Sequence, residues 1–234
     1  MNKQAVRYPI LLLDADDTLF DSQAAEQNAL QRLLDEVHYP YTVNTLFQYR
    51  NINEDLWRRH EAGEITKDEL QATRFTRFFD ALSISGDGLA ANNRYLEHLS
   101  EQGCLVNGAL EVCRELSAFC RLYIVTNGIS RVQRRRLELS PLKNVITDIF
   151  ISEDTGSQKP QIQFFEYAFA RIPNFRQKDA LIVGDSLTSD VQGGINAGID
   201  TCWFNGKGRD ISGGITPTFE IALLQQLLDL VFKM

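Results

Sequence analysis

The sequence predicts an α/β protein, a parallel sheet whose first strand is followed by an all-helical insertion. Three observations carry that prediction. Short apolar runs each end in a polar cluster, which is how strands buried on both faces read. The later runs are separated by segments of helical spacing, the signature of βαβ units. From about Ser22 to Gly103 no strand-like run occurs at all.

The first run is Ile10–Leu13, before Asp14. The insertion follows, with apolar residues at helical intervals in Leu30, Leu33, Leu34 and Val37, then in Leu46, Tyr49, Ile52 and Leu56. Thr66 and Glu69 form a capping-box pattern that opens a helix carrying Leu70, Phe75, Phe78 and Phe79. Strands are then predicted at Leu122–Val125, Ile149–Ile151, Leu181–Val183 and Thr201–Phe204. Helical spacing covers Ala109–Phe119, Ser130–Leu139, Ile162–Ile172 and Ser189–Ala197. The expected organisation is a core of residues 1–20 and 104–234 with a helical cap at 21–103. An insertion at the ligand-binding edge of such a sheet is a candidate lid.

The 234 residues carry a net charge of -7, with 44% apolar and 24% charged residues, an ordinary globular composition. That charge argues against a nucleic-acid polymer as partner, because phosphate backbones demand surplus Lys and Arg. Ile10–Leu13 is too brief for a signal-peptide core, and no stretch approaches the roughly 20 apolar residues that span a bilayer. Cys104, Cys113, Cys120 and Cys202 show no metal-site spacing and are expected as reduced, mostly buried thiols. The expectation is a cytoplasmic protein without membrane contact, as monomer or homodimer.

In parallel sheets ligands bind beyond the carboxyl ends of the strands, and every polar cluster lies at such an end. Asp14-Ala15-Asp16-Asp17-Thr18 places three carboxylates within a short turn, which repel unless a cation or hydrogen bonds compensate. Taken alone, this could be a polar turn with a helix cap. Thr126-Asn127-Gly128, Lys159-Pro160 and Gly184-Asp185 with Asp190 each have an equally plain reading. Together they assemble carboxylates, a hydroxyl with backbone donors and one ammonium along one edge, a set that chance rarely supplies.

Phosphoryl transfer gives these residues roles. Asp14 is the candidate nucleophile, forming an aspartyl-phosphate, and Asp16 the candidate acid and base. Asp14 and Asp185 are oxygen ligands suited to Mg²⁺. Thr126 and the Asn127 amide are candidate phosphate donors, Lys159 adds a charge to the same group, and Asp190 orients Lys159 or a metal-bound water.

At these four motifs the sequence resembles the haloacid dehalogenase (HAD) superfamily of phosphatases, over nearly the whole chain. The resemblance implies a Rossmann-like, doubly wound core with a helical cap. It also implies Mg²⁺ held by Asp14, Asp185 and the Asp16 backbone carbonyl, and Asp14 as nucleophile. The position after Asp16 is often Gly in relatives and is Asp17 here, a departure that bears on the loop alone. Longer segments, among them Leu56–Thr66, Ile151–Gly156, Gly193–Gly198 and Thr201–Asn205, are similar to the YjjG-type pyrimidine 5′-nucleotidases. That similarity implies hydrolysis of a nucleoside 5′-monophosphate. A small sugar phosphate or phosphoglycolate, handled by a phosphatase or mutase of the same superfamily, is the alternative.

Other residues read more plainly. Arg134-Arg135-Arg136 is expected on a solvated helix face, with Arg131 nearer the strand end. Trp57, Phe75, Phe78 and Phe79 could stack on a base but at helical spacing read as cap core. His60 is expected at the surface, and Gly193, Gly194 and Gly198 where a helix packs closely. Dehalogenation is disfavoured because Asp16 offers a proton that a halide does not need. A phospho-accepting receiver domain would leave the helical insertion without a place, and an intact Asp14 and Asp16 pair argues against a scaffold that binds without turnover.

Overall fold

The computed structural model describes residues 6–211 and 214–232. Among them, six parallel strands form one sheet: β1 Ile10–Leu13, β2 Arg121–Thr126, β3 Asp148–Ile151, β4 Ala180–Gly184, β5 Asp200–Phe204 and β6 Phe219–Ile221. The helices are α1 Ser22–Glu36, α2 Val43–Glu61, α3 Lys67–Leu82, α4 Gly88–Ser100, α5 Ala109–Ser117, α6 Ser130–Leu139, α7 Ser152–Thr155, α8 Ile162–Arg171, α9 Gln192–Asn196 and α10 Gln226–Val231. The chain divides into two compact units, residues 1–22 with 103–234, and residues 23–102.

In the sheet unit the strand order is β3-β2-β1-β4-β5-β6, and every pairing between these six strands is parallel. Side chains alternate between two apolar layers, as the two-residue period of a strand requires. Leu11, Leu13, Leu122, Ile124 and Leu181 join one layer, with Val112 and Leu116 of α5 and Leu227 of α10. Ile10, Leu12, Tyr123, Val125 and Ile182 join the other, with Phe164, Phe165 and Ala168 of α8. This two-sided burial makes the strands continuous apolar runs, and the sheet is doubly wound in the Rossmann manner. Gly194 lies where a Cβ would come within 2.5 Å of Ile182 and Thr201, so its missing side chain lets α9 sit against the sheet.

β6 leaves no strand signal in the sequence. Its three residues, Phe-Glu-Ile at the edge beside β5, are too few to show a period. The predicted helix over Ser189–Ala197 begins instead as a wide π turn over Leu187–Val191, which α9 continues.

The helical unit packs α1–α4 around Leu30, Leu33, Leu34, Tyr49, Leu56, Phe75, Phe78 and Tyr95, all buried. The rings of Phe75 and Tyr95 lie 5.1 Å apart, and those of Tyr49 and Phe75 5.5 Å apart. Reciprocal capping boxes start α2, through Thr42 and Thr45, and α3, through Thr66 and Glu69. Arg74 is buried in this interior, donating to the Oδ1 atoms of Asn92 and Asn53 and lying over the Tyr95 ring. Asn53 and Arg50 in turn donate to Glu26. His60 is not at the surface as expected. It is half-buried, its Nδ1 at 3.1 Å from the Ile65 carbonyl and its ring edge-on to Trp57, because the α2–α3 turn folds back over it.

Candidate active site

In the strand order β3-β2-β1-β4-β5-β6, successive connections run in opposite directions on either side of β1 and β4, opening a crevice at their carboxyl ends. Leu13 pairs with Val183, and the Asp14 N–H donates to the Val183 carbonyl at 2.9 Å. The register therefore sets Asp14 beside the Gly184-Asp185 exit.

Lys159 anchors the site. It is 1% exposed, and its Nζ donates to Asp14 Oδ1 at 2.7 Å, Asp190 Oδ1 at 2.6 Å and the Val125 carbonyl at 2.8 Å. All three ammonium protons are thus used. The other Asp14 oxygen accepts from the buried Thr18 hydroxyl at 3.2 Å. Asp190 comes from the wide π turn, and its Oδ2 accepts the Ser186 N–H at 3.1 Å. A Cβ on Gly184 would lie 2.2 Å from the Asp190 carboxyl carbon, so only glycine ends β4 with this carboxylate against it.

Asp14, Asp185 and Asp190 each present a ligand oxygen within 4.8 Å of the other two. Burial and mutual repulsion push the Asp14 carboxyl up to about 7 against the pull of Lys159. Burial and the charges of Asp14 and Asp17 push Asp185 up to about 6. Burial raises Asp190 also, while Lys159, between two carboxylates, is held firmly protonated. Three carboxylates facing one buried ammonium leave negative charge in excess. That surplus, with an all-oxygen donor set lacking His and Cys, fits a hard divalent cation such as Mg²⁺.

Thr126, 1% exposed, accepts the Gly128 N–H at 3.0 Å, and such a hydroxyl still has its own proton to donate. The Asn127 side chain brackets the Lys159 backbone, accepting its N–H and donating to its carbonyl, both at 2.9 Å. Asn127 thereby fixes the position of Lys159.

The Asp16 carboxylate does not join the acidic cluster. Its Oδ1 accepts from Arg136 at 2.5 Å and from the Ser22 hydroxyl at 2.9 Å, and its Oδ2 accepts from Gln133. Here the expected solvated arginine face is corrected. Arg134 and Arg135 are exposed and paired with Asp154 and Glu138, but Arg136 is 1% exposed, drawn inward by Asp16 and the Phe20 ring. Arg131 is exposed. Asp17 has a left-handed φ of 57°, which explains why glycine suits this position, and its carboxylate pairs with Lys207 at 2.6 Å. Arg209 donates to the Asp185 carboxylate at 3.1 Å.

Gln133, Lys207 and Arg209 belong to no motif in the sequence, and Thr18 and Arg136 are visible there without a role at the site. Gln133 and Arg136 did leave a signal, polar residues three apart on one face of a helix that starts just past Thr126-Asn127-Gly128.

Clustered carboxylates around a buried lysine, at the point where a doubly wound sheet reverses, mark a doubly wound α/β protein with a site suited to a divalent cation and an anionic group. Residues 11–204 match the haloacid dehalogenase-like hydrolase family, and the chain belongs to that family. It is 44% identical to YfnB of Bacillus subtilis over 94% of each chain. The magnesium-bound crystal structure of YfnB superposes with a TM-score of 0.92, at 43% identity, over 96% of this chain and 99% of that one. The chain is also 39% identical to the pyrimidine 5′-nucleotidase PynA of Streptococcus pneumoniae, over 97% of this chain and 96% of that protein. It is 32% identical to the pyrimidine 5′-nucleotidase YjjG of Escherichia coli, over 97% of this chain and all of that protein. Among the described residues no helix is long and apolar enough to cross a membrane.

Proposed function

We propose that this protein is a Mg²⁺-dependent phosphomonoester hydrolase acting on nucleoside 5′-monophosphates, with pyrimidine bases preferred. The observation that carries the reading is the Asp14 carboxylate at the end of β1, fixed by Lys159 and Thr18 and adjoining Asp185 and Asp190. The pyrimidine preference rests on the likeness to PynA and YjjG.

An Asp14 oxygen attacks phosphorus as the ester P–O bond breaks, and Asp16 gives its proton to the departing alkoxide. A water then loses its proton to Asp16 and attacks the aspartyl-phosphate, releasing phosphate and restoring Asp14. Thr126 and the Asn127 N–H bind the phosphoryl oxygens, while Lys159 holds Asp14 in line and adds a positive charge beside the phosphate. Asp14, Asp185 and the Asp16 backbone carbonyl would hold Mg²⁺, with Asp190 behind them orienting Lys159. When bound, the ion offsets the charge that gathers as two anions approach. The helical unit, residues 21–103 in this reading, acts as a cap domain, and the enzyme works in the cytoplasm.

The test is a kinetic screen of purine and pyrimidine nucleoside monophosphates against sugar phosphates and phosphoglycolate, with and without Mg²⁺. The highest kcat/KM is expected for a uracil or thymine nucleotide, and none in chelator. A preference for a sugar phosphate would overturn the substrate assignment, and full activity in chelator would overturn the metal.

A further inference from the structure

A general acid works only when its proton is aimed, and a carboxylate in a turn is not aimed by its backbone alone. The Asp16 side chain is 40% exposed, yet three donors hold it. Arg136 and Ser22 bind Oδ1, and Gln133 binds Oδ2. Two of the three are themselves immobile. Arg136 is 1% exposed, with its guanidinium 4.5 Å from the Phe20 ring centroid, and Gln133 is 2% exposed.

Two details indicate that Gln133 is placed for Asp16. Its Oε1 is buried without a hydrogen-bond partner among the described residues, a cost that a glutamine serving packing alone would not carry. A Cβ on Gly128 would lie 2.3 Å from Gln133 Nε2, so the glycine of Thr126-Asn127-Gly128 leaves the passage through which Gln133 reaches Asp16.

We propose that Gln133 and Arg136 are positioning residues that fix the Asp16 carboxyl where it meets the leaving oxygen of the substrate. This rests on the proton-donor role assigned to Asp16 under the proposed function. In that step the Asp16 proton passes to the ester oxygen, which keeps the electron pair of the broken P–O bond. Neither Gln133 nor Arg136 gives or takes a proton.

The experiment compares two leaving groups in the full-length enzyme with Mg²⁺. A nucleoside 5′-monophosphate departs as an alkoxide that needs a proton, whereas 4-nitrophenyl phosphate departs as a stabilised phenolate that does not. Gln133→Leu, which keeps volume and burial, is expected to lower kcat/KM on the nucleotide by about tenfold or more, because kcat/KM reports the steps up to departure of the leaving group. Its kcat/KM on the aryl ester is expected to stay within about twofold, while the later hydrolysis of the aspartyl-phosphate, common to both esters, enters kcat alone. Arg136→Lys, which keeps the charge but loses the planar fork, is expected to show a smaller split of the same kind. Thermal melting confirms that each variant is folded, and Gln133→Leu decides the matter if Arg136→Lys is not.

Asp16→Asn is the reference, with the largest split expected. If Asp16→Asn shows the split and Gln133→Leu slows both substrates equally or neither, the positioning role is overturned while the proton-donor reading stands. If Asp16→Asn itself shows no split, the proton-donor reading fails and the positioning role falls with it.

Discussion

The two units of this protein both bury charge, and they balance it differently. At the carboxyl edge of the sheet, Asp14, Asp185 and Asp190 face one buried ammonium, that of Lys159, and their carboxyls are pushed upward. Inside the helical unit the imbalance has the other sign: Arg50 and Arg74 face the single carboxylate of Glu26. There Arg74 is answered by the amide oxygens of Asn53 and Asn92 and by the rings of Phe75 and Tyr95. Amide oxygens and aromatic faces thus take up the Arg74 guanidinium without a ligand. At the sheet edge Lys159 is shared by Asp14 and Asp190, and the exposed Arg209 reaches only Asp185, so among the described residues the carboxylates stay in surplus and suit a cation. Buried charge alone does not mark a site; charge that the protein's own groups leave unbalanced does.

The contrast can be broken most directly at Asp14. Asp14→Asn is expected to cut turnover by more than about 10³-fold with the fold retained, since the proposed nucleophile is lost but the shape is not. Steady-state kinetics with circular dichroism checks this, and turnover near the parent rate would end the assignment. Asp16→Asn should cost on the order of 10² in kcat on a nucleotide, read by the same assay.

The helical unit should answer in stability. Arg74→Leu strands the Asn92 oxygen and removes charge near Glu26, and is expected to cost about 2 kcal/mol in urea unfolding with kcat preserved. A loss of kcat at unchanged stability would mean that this network serves catalysis after all.

The smallest effect sharpens the comparison through pH. Without a cation, carboxyls raised to about 7 at Asp14 and about 6 at Asp185 bind protons more tightly folded than unfolded. The stability they contribute is present at low pH and is lost as pH climbs from the ordinary carboxylate range, about 4, through 6 and 7. Mg²⁺ favours the ionised forms, so its stabilisation, about 1 kcal/mol or more, should be larger at pH 8 than at pH 5. Melting temperatures with and without Mg²⁺ at both values test this; equal shifts would detach the ion from these carboxylates.

Much of this protein was written locally. Apolar runs closed by Asp14, Thr126 and Gly184-Asp185 fixed the strands and their chemically active ends, because a strand buried on both faces must be apolar and its exit need not be. The capping box at Thr66 and Glu69 fixed the start of α3, because it is satisfied within one turn. What the residues alone could not decide was which distant groups meet. Strand order brought β1 beside β4, and Lys159 reaches an Asp14 that lies 145 positions away. Arg134, Arg135 and Arg136 read alike in sequence, yet only Arg136 turns inward, because only it lies within reach of Asp16 and Phe20. Periodicity and turn chemistry are properties of neighbours along the chain. Burial and ion pairing are properties of neighbours in space, and these only the folded structure assigns.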